Sequence, residues 1–266
     1  MPANVPPDPE RLAEVLLAPP IGWSSVQVLP EIGSTNTELV ARAAAGAAHG
    51  SVLITDNQTA GRGRLDRTWT TPPGVAVACS VLLRPPAELP VASWPWLSPL
   101  LGLAVSRGVR RFSGLEVLLK WPNDVLIGDR KLSGLLAVRV QTPEGPAAVL
   151  GFGINVTAAA EELPVPTATS LLLEGAPTDA TELLVAVLTE LAELWRIWLS
   201  DTEQVAAAYR VECGTLGRRV RVVLGPGREV VGRAVGIDAH GSLQVEGPGG
   251  IKAYPAGDVI HLRALE

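Results

Sequence analysis

Residues 115–150 read LEVLLKWPNDVLIGDRKLSGLLAVRVQTPEGPAAVL. Four apolar runs lie in this stretch: Leu115 to Leu119, Val125 to Ile127, Leu135 to Val140 and Pro146 to Leu150. Turn residues separate them at Pro122-Asn123-Asp124, Gly128-Asp129 and Gln141 to Gly145. Runs this short read as strands, and connections this short join antiparallel neighbours. The stretch therefore predicts an antiparallel meander within a mixed sheet, with Leu115–Leu119 as a fully buried strand. It lacks the strand–helix alternation of a doubly wound fold. Neither G-x-G-x-x-G nor G-x-x-x-x-G-K-[ST] occurs, so the common nucleotide-binding folds lose support.

The flanks fill out an α+β chain. Ser24–Leu29, Ser51–Asp56 and Val75–Leu83 read as strands. Thr35 with Glu38 fits a capping box ahead of an Ala-rich helix ending near Ala45. Ser93 to about Phe112 reads as a long helix, with Pro95 in its first turn and Pro99 kinking or restarting it. Asp179–Leu199 is an amphipathic helix capped by Asp179 or Thr181, and Asp201–Tyr209 is a second helical stretch. From Gly214 the texture changes to five short strands between Gly-rich turns, the pattern of a small barrel. We expect a leader at 1–22 with a short helix over Asp8–Leu17 and disorder before it, a main domain at 23–213 and a small β domain at 214–266.

Composition narrows the function classes. At 47% hydrophobic and 18% charged, the chain is neither disordered nor low-complexity. A net charge of −5 disfavours general nucleic-acid binding, although residues 214–266 carry seven Lys/Arg against five Asp/Glu. No apolar run approaches the roughly 18 residues of a membrane span, and the N-terminus lacks a signal-peptide pattern. Cys79 and Cys213 stand alone without metal spacing, as reduced thiols of a cytoplasmic protein would.

Three polar stretches carry the chemistry. Gln58–Trp69, Q-T-A-G-R-G-R-L-D-R-T-W, sets three arginines among two glycines. Such a loop is either a clamp for an anionic small molecule or a solvated basic turn. Lys120-Trp121-Pro122-Asn123-Asp124 and Gly151-Phe152-Gly153-Ile154-Asn155 each follow a strand, where sheet proteins place ligands. Ser34-Thr35-Asn36 is a helix start, a polar ligand site, or both. With Arg130-Lys131-Leu132-Ser133-Gly134, the G-R-G-R, K-W-P-N-D, R-K-L-x-G and G-I-N segments occur in the order found in the biotin protein ligases, which the chain resembles from about Val26 onward.

That resemblance implies a class II synthetase-like biotin/lipoate ligase catalytic fold: a mixed sheet with flanking helices, and an SH3-like C-terminal barrel. It implies ATP-dependent formation of biotinyl-5'-adenylate, then transfer of biotin to a lysine of a biotin carboxyl carrier protein, an acyl-CoA carboxylase subunit or domain. By resemblance, Ser34, Thr35, Asn36 and Gln58 contact the ureido ring of biotin. Arg62 and Arg64 clamp carboxylate and phosphate, Gly63 lets the backbone approach, and Lys131 holds the biotin carboxylate. Gly134 and Gly151 line the biotin site. Lys120 faces the phosphates or leaving group, Asn123 and Asn155 hold the nucleotide, and Asp124 helps place Mg²⁺. Trp69 either packs in the core or covers the adenine. Asp66 stands where the family usually has glycine, which bears on the ordering of a loop expected to close over the adenylate. The leader is too short for the winged-helix DNA-binding domain of some members, so we expect no direct DNA binding, and a monomer or weak homodimer. The rivals are a lipoate or octanoate ligase or transferase and a non-enzymatic biotin sensor.

Overall fold

The computed structural model describes residues 6–64, 67–69 and 72–262. In chain order the elements are α1 (Pro9–Leu16), β1 (Ser25–Val28), α2 (Thr35–Ala44), β2 (Ser51–Thr55) and β3 (Ala76–Leu83). A 3₁₀ segment (Val91–Trp96) leads into α3 (Leu97–Ser113), and β4 (Leu118–Lys120), β5 (Asp124–Ile127), β6 (Arg130–Thr142) and β7 (Gly145–Asn155) follow. Then come α4 (Ala180–Ser200), α5 (Thr202–Glu212), β8 (Arg219–Gly225), β9 (Arg228–Ile237), β10 (Leu243–Gly247), β11 (Gly250–Tyr254) and β12 (Asp258–His261).

The predicted meander forms. β4, β5, β6 and β7 are antiparallel neighbours, and β7 joins β3, giving the sheet order β1-β2-β3-β7-β6-β5-β4. Among the named strands, only β1 and β2 pair in parallel, so the sheet is mixed. One expectation fails at its edge. β4 covers three residues, not Leu115–Leu119, and only Leu119 of the three is buried. As the last strand of the sheet, β4 sends alternate residues away from the core.

Helices cover both faces. Leu100, Leu101 and Leu103 of α3 and Leu184, Val187, Leu188 and Leu191 of α4 join the large core on one face. Leu39 and Ala43 of α2 pack on Leu53, Leu82, Ala147 and Val149 on the other. The long helix expected over Ser93–Phe112 splits: Pro95 sits in the 3₁₀ segment, and α3 starts at Leu97 with Pro99 in its first turn, where a missing N–H costs nothing. Within the stretch read as a leader, Leu12 and Leu16 of α1 are fully buried in the main core, and the Asp8 N–H donates to Thr181 Oγ1 at 2.9 Å.

The C-terminal strands make one antiparallel sheet, β11-β10-β9-β8-β12. It is tied to the main domain by tryptophan N–H donors: Trp121 Nε1 to Gly241 O (3.0 Å) and Trp96 Nε1 to Ala239 O (2.8 Å). Val220, Val222 and Val259 belong to the same apolar core as α3 and α4.

Candidate active site

Residue size along the sheet opens the site. Under the C-terminal half of α2 the strands present Leu82, Val149 and Ala147. Under its N-terminus they present Ser80, Gly151, Gly153 and Gly134, paired as Ser80↔Gly151, Ala78↔Gly153 and Gly134↔Gly153. Small residues there leave a cavity of about 400 Å³.

At one end stands the start of α2. Ser34 is the N-cap, its Oγ accepting from Thr37 N at 3.4 Å, which moves the cap one residue before the expected Thr35. Glu38 does not return to the cap; it pairs with Arg42 at 2.7 Å. Thr35 is freed to donate from N (2.8 Å) and Oγ1 (3.1 Å) to Gln58 Oε1. Asn36 donates from Nδ2 to Leu136 O at 3.1 Å. Ser80 Oγ lies 2.6 Å from Asn36 Oδ1 and 2.8 Å from Thr35 Oγ1. Asn36 Oδ1 carries no proton, so the Ser80 hydroxyl donates to it and fixes the amide orientation. A Cβ on Gly151 would collide with Asn36 Oδ1, so only glycine permits this approach. Sequence reading missed Ser80. Its signal was a hydroxyl in an otherwise apolar buried strand, which needs a partner.

At the other end are the cations. Asp124 bridges Lys131 Nζ (2.6 Å) and Lys120 Nζ (3.3 Å). Lys131 reaches the cavity through a β-bulge. Pairing runs Val125↔Ser133 and then Leu126↔Lys131, skipping Leu132. With strict alternation Lys131 and Gly134 would face opposite sides; the bulge puts Lys131 beside Gly134 and sends Leu132 into the core. Arg64 Nη1 donates to Asn123 Oδ1 at 3.4 Å, and Asn123 Nδ2 to Leu135 O at 2.9 Å. Burial lowers the Arg64 pKa, while Asp124 pulls it upward. The guanidinium keeps its charge and, partly stripped of water, gains strongly from an anion.

Between the ends lies Trp69. Its ring covers Gly153 and Gly134, where a Cβ would come within 2.5 and 2.9 Å of the indole, and Lys131 Nζ lies 5.8 Å from the ring centroid. The arginine loop is a narrow hairpin: Gly63 N donates to Arg67 O (2.7 Å), Arg62 bridges Thr68, and Trp69 N donates to Gly61 O (2.9 Å). Arg62 is exposed at the cavity rim. Arg67 pairs with Asp258 of β12, so the C-terminal sheet forms part of the cavity wall. Asp66 lies outside the described residues.

Two expected residues stand differently. Asn155 borders an adjoining cavity of about 670 Å³ rather than the first, together with Trp69, Lys120, Asp124 and Lys131. Its Nδ2 donates to Thr169 O (2.9 Å), while Oδ1 is buried without a partner. Asp124, expected at a metal, has both oxygens beside ammonium groups. Among the described residues, no cluster of three or more His, Cys, Asp or Glu forms a metal site. One carboxylate shared by two lysines is not a cage that the protein builds for Mg²⁺.

Residues 28–155 match the Biotin/lipoate A/B protein ligase family, and residues 215–262 match the Biotin protein ligase C terminal domain. The chain is 43% identical over 263 residues to the biotin–[acetyl-CoA-carboxylase] ligase of Mycobacterium tuberculosis, covering 97% of each. The chain belongs to the biotin protein ligase family. It is also 32% identical to the bifunctional ligase/repressor BirA of Escherichia coli, over 91% of this chain and 75% of that one. Its fold matches the Aquifex aeolicus biotin protein ligase in complex with biotin and ATP, with TM-score 0.74 and 28% identity, over 91% of this chain and 100% of that one. Both family segments fall on the walls of the cavity just described: the first supplies its floor and cations, the second the Val259 and Asp258 side. Among the described residues, no helix is long and apolar enough to cross a membrane.

Proposed function

We propose that this chain is an ATP-dependent biotin protein ligase that acts on the carrier domain of an acyl-CoA carboxylase. The observation that carries the reading is one cavity with a hydroxyl–amide patch at Ser34, Thr35 and Asn36 and five cations, Arg62, Arg64, Arg67, Lys120 and Lys131, elsewhere on its wall. A ureido ring has two donors and one acceptor and suits the first. A carboxylate being joined to phosphate needs the second.

In the first step a biotin carboxylate oxygen attacks the α-phosphorus of ATP. The bond to the bridging oxygen breaks, and pyrophosphate leaves with the electron pair. Lys131 neutralises the carboxylate and releases Asp124 as it does so. Arg64 and Lys120 meet the charge on the phosphoryl oxygens; one such donor is commonly worth on the order of 10²–10³ in rate. In the second step a carrier lysine amine attacks the acyl carbon, AMP departs, and the ammonium loses a proton to give the amide. The orphaned Asn155 Oδ1 is an acceptor suited to the exocyclic amino group of adenine beside Trp69. Mg²⁺ would enter on the triphosphate, with phosphate oxygens as its main ligands.

A lipoyl or octanoyl chain fits less well, because its apolar carbons offer no partner to the hydrogen-bonding capacity that Ser34, Thr35 and Asn36 keep beyond their bonds to Gln58, Ser80 and Leu136. The test is biotin-dependent pyrophosphate release with ATP and Mg²⁺, followed by mass spectrometry of a purified carrier domain. A biotin-sized gain on one carrier lysine supports the ligase. Biotin binding without release points to a sensor, and release with lipoate or octanoate in place of biotin points to the rival substrate.

A further inference from the structure

We infer that residues 167–174 form a strap, pinned by Glu174, that holds the bulged Lys131 and Asn155 in fixed relation, and that Glu174 is a positioning residue for adenylate formation. The inference rests on the ligase reading above. Its physical basis is a gap in the sheet. β7 pairs with β6 only from Ser133 onward, so the edge of Lys131 facing away from β5 has no β7 partner. The strap fills that gap. Lys131 N donates to Thr167 O at 2.7 Å, and Thr169 N donates to Lys131 O at 2.8 Å. Ala168 thereby forms a parallel bridge to Lys131. The same few residues hold Asn155: its Nδ2 donates to Thr169 O at 2.9 Å, and Leu171 N donates to its carbonyl at 3.2 Å.

The strap's position depends on one carboxylate. Glu174 Oε1 accepts from Thr169 Oγ1 at 2.5 Å, and Oε2 accepts from Arg130 Nη2 at 2.8 Å. Its side chain is only 9% exposed, so this charge is held by both partners and not by water. Thr169 is fully buried. Glu174 therefore joins the residue before Lys131 to the residue whose N–H and C=O engage Lys131 and Asn155. Neither Glu174 nor Thr169 borders the main cavity, so neither touches substrate there. Loosening the strap would let the Lys131 ammonium and the Asn155 amide shift against each other. Lysine orientation matters most in the adenylate-forming step, when Lys131 gives up Asp124 for the carboxylate; without nucleotide Lys131 keeps its pair with Asp124, and the biotin ring is held by Ser34, Thr35 and Asn36, which the strap does not contact. The expected signature is a fall in kcat at unchanged biotin affinity.

The unmodified chain, Glu174→Gln, Thr169→Val and Thr169→Ser are compared by biotin calorimetry without nucleotide and by biotin-dependent ATP–pyrophosphate exchange. Glu174→Gln and Thr169→Val should bind biotin within about twofold of the unmodified chain and lose about tenfold or more in kcat, since small misplacements cost up to roughly 10². Thr169→Ser, which keeps the hydroxyl, should stay within about threefold. Unchanged kcat in both Glu174→Gln and Thr169→Val overturns the inference. A parallel loss of biotin affinity and kcat also overturns it, because that is general loosening of the fold. No exchange in the unmodified chain overturns the ligase reading itself, and the inference with it.

Discussion

Gly153→Ala puts a single methyl under the Trp69 ring. The new Cβ would stand 2.5 Å from Trp69 Cε2, 2.7 Å from Nε1 and 2.8 Å from Cζ2, against about 3.4 Å for ordinary contact. The indole must move by about 1 Å. Trp69 is half-buried and sits at the end of the arginine hairpin, so it can lift, carrying Arg62 and Arg64 with it. Gly153 is not among the positive-φ glycines, so the backbone tolerates alanine and the sheet should survive. A 1 Å displacement near reacting groups costs on the order of 10²-fold, about 2.7 kcal/mol, in kcat/KM. The assay is biotin-dependent ATP–pyrophosphate exchange at varied ATP, for Gly153→Ala, Trp69→Ala and the double variant. The three closest contacts of the methyl all belong to the indole, so with the indole gone the double variant should match Trp69→Ala. Gly153→Ala activity within about threefold of the unmodified chain, or a further tenfold loss in the Trp69→Ala background, would refute the account of the glycine floor.

Ser80→Ala leaves Asn36 Oδ1 without its donor and should cost the fold about 1–3 kcal/mol; a urea midpoint equal to that of the unmodified chain would refute the weight placed on that bond. Arg64→Ala should still bind biotin but release its adenylate, because a half-buried cation beside Asn123 is lost; rapid filtration showing full retention together with normal transfer would contradict this. His261 has its pKa lowered to about 4 by burial first, then by Arg218 and Lys120. Between its ordinary 6.5 and about 4 the unfolded chain binds a proton that the folded chain refuses, so stability falls as pH drops through that window. His49, also lowered by burial, acts in the same direction, so His261→Gln should show a smaller fall in urea midpoint from pH 7 to 5 and not a flat profile; an undiminished fall would exclude His261.

The sheet order around the meander was legible because short apolar runs and tight turns leave antiparallel neighbours as the simple solution. The burial of β4 was not, since its apolar run says nothing of lying at an edge. Ser34, Thr35, Asn36, Gln58 and the Arg and Lys residues were found as motifs, and all border one cavity. Ser80 and Gly153 were passed over because each sits inside a strand whose apolar or motif character explained it locally. Asp124 was expected to help place Mg²⁺ by resemblance; its two lysine partners could not be read there, because they come from different strands of the folded sheet.

By itself the sequence determined which residue types the site would hold and that the sheet would be mixed; it set Gly151–Asn155 past a strand, whereas they lie inside β7, as Lys131 and Gly134 lie inside β6. Composition, turn chemistry and ordered motifs are local properties, and a chain carries them before it folds. Only the tertiary structure decided which way the motif residues point. Lys131 faces the cavity because one bulge at Leu132 reverses the alternation of side chains along β6. A one-residue shift in pairing exchanges the two faces of a strand, and pairing is settled between strands that the sequence keeps apart.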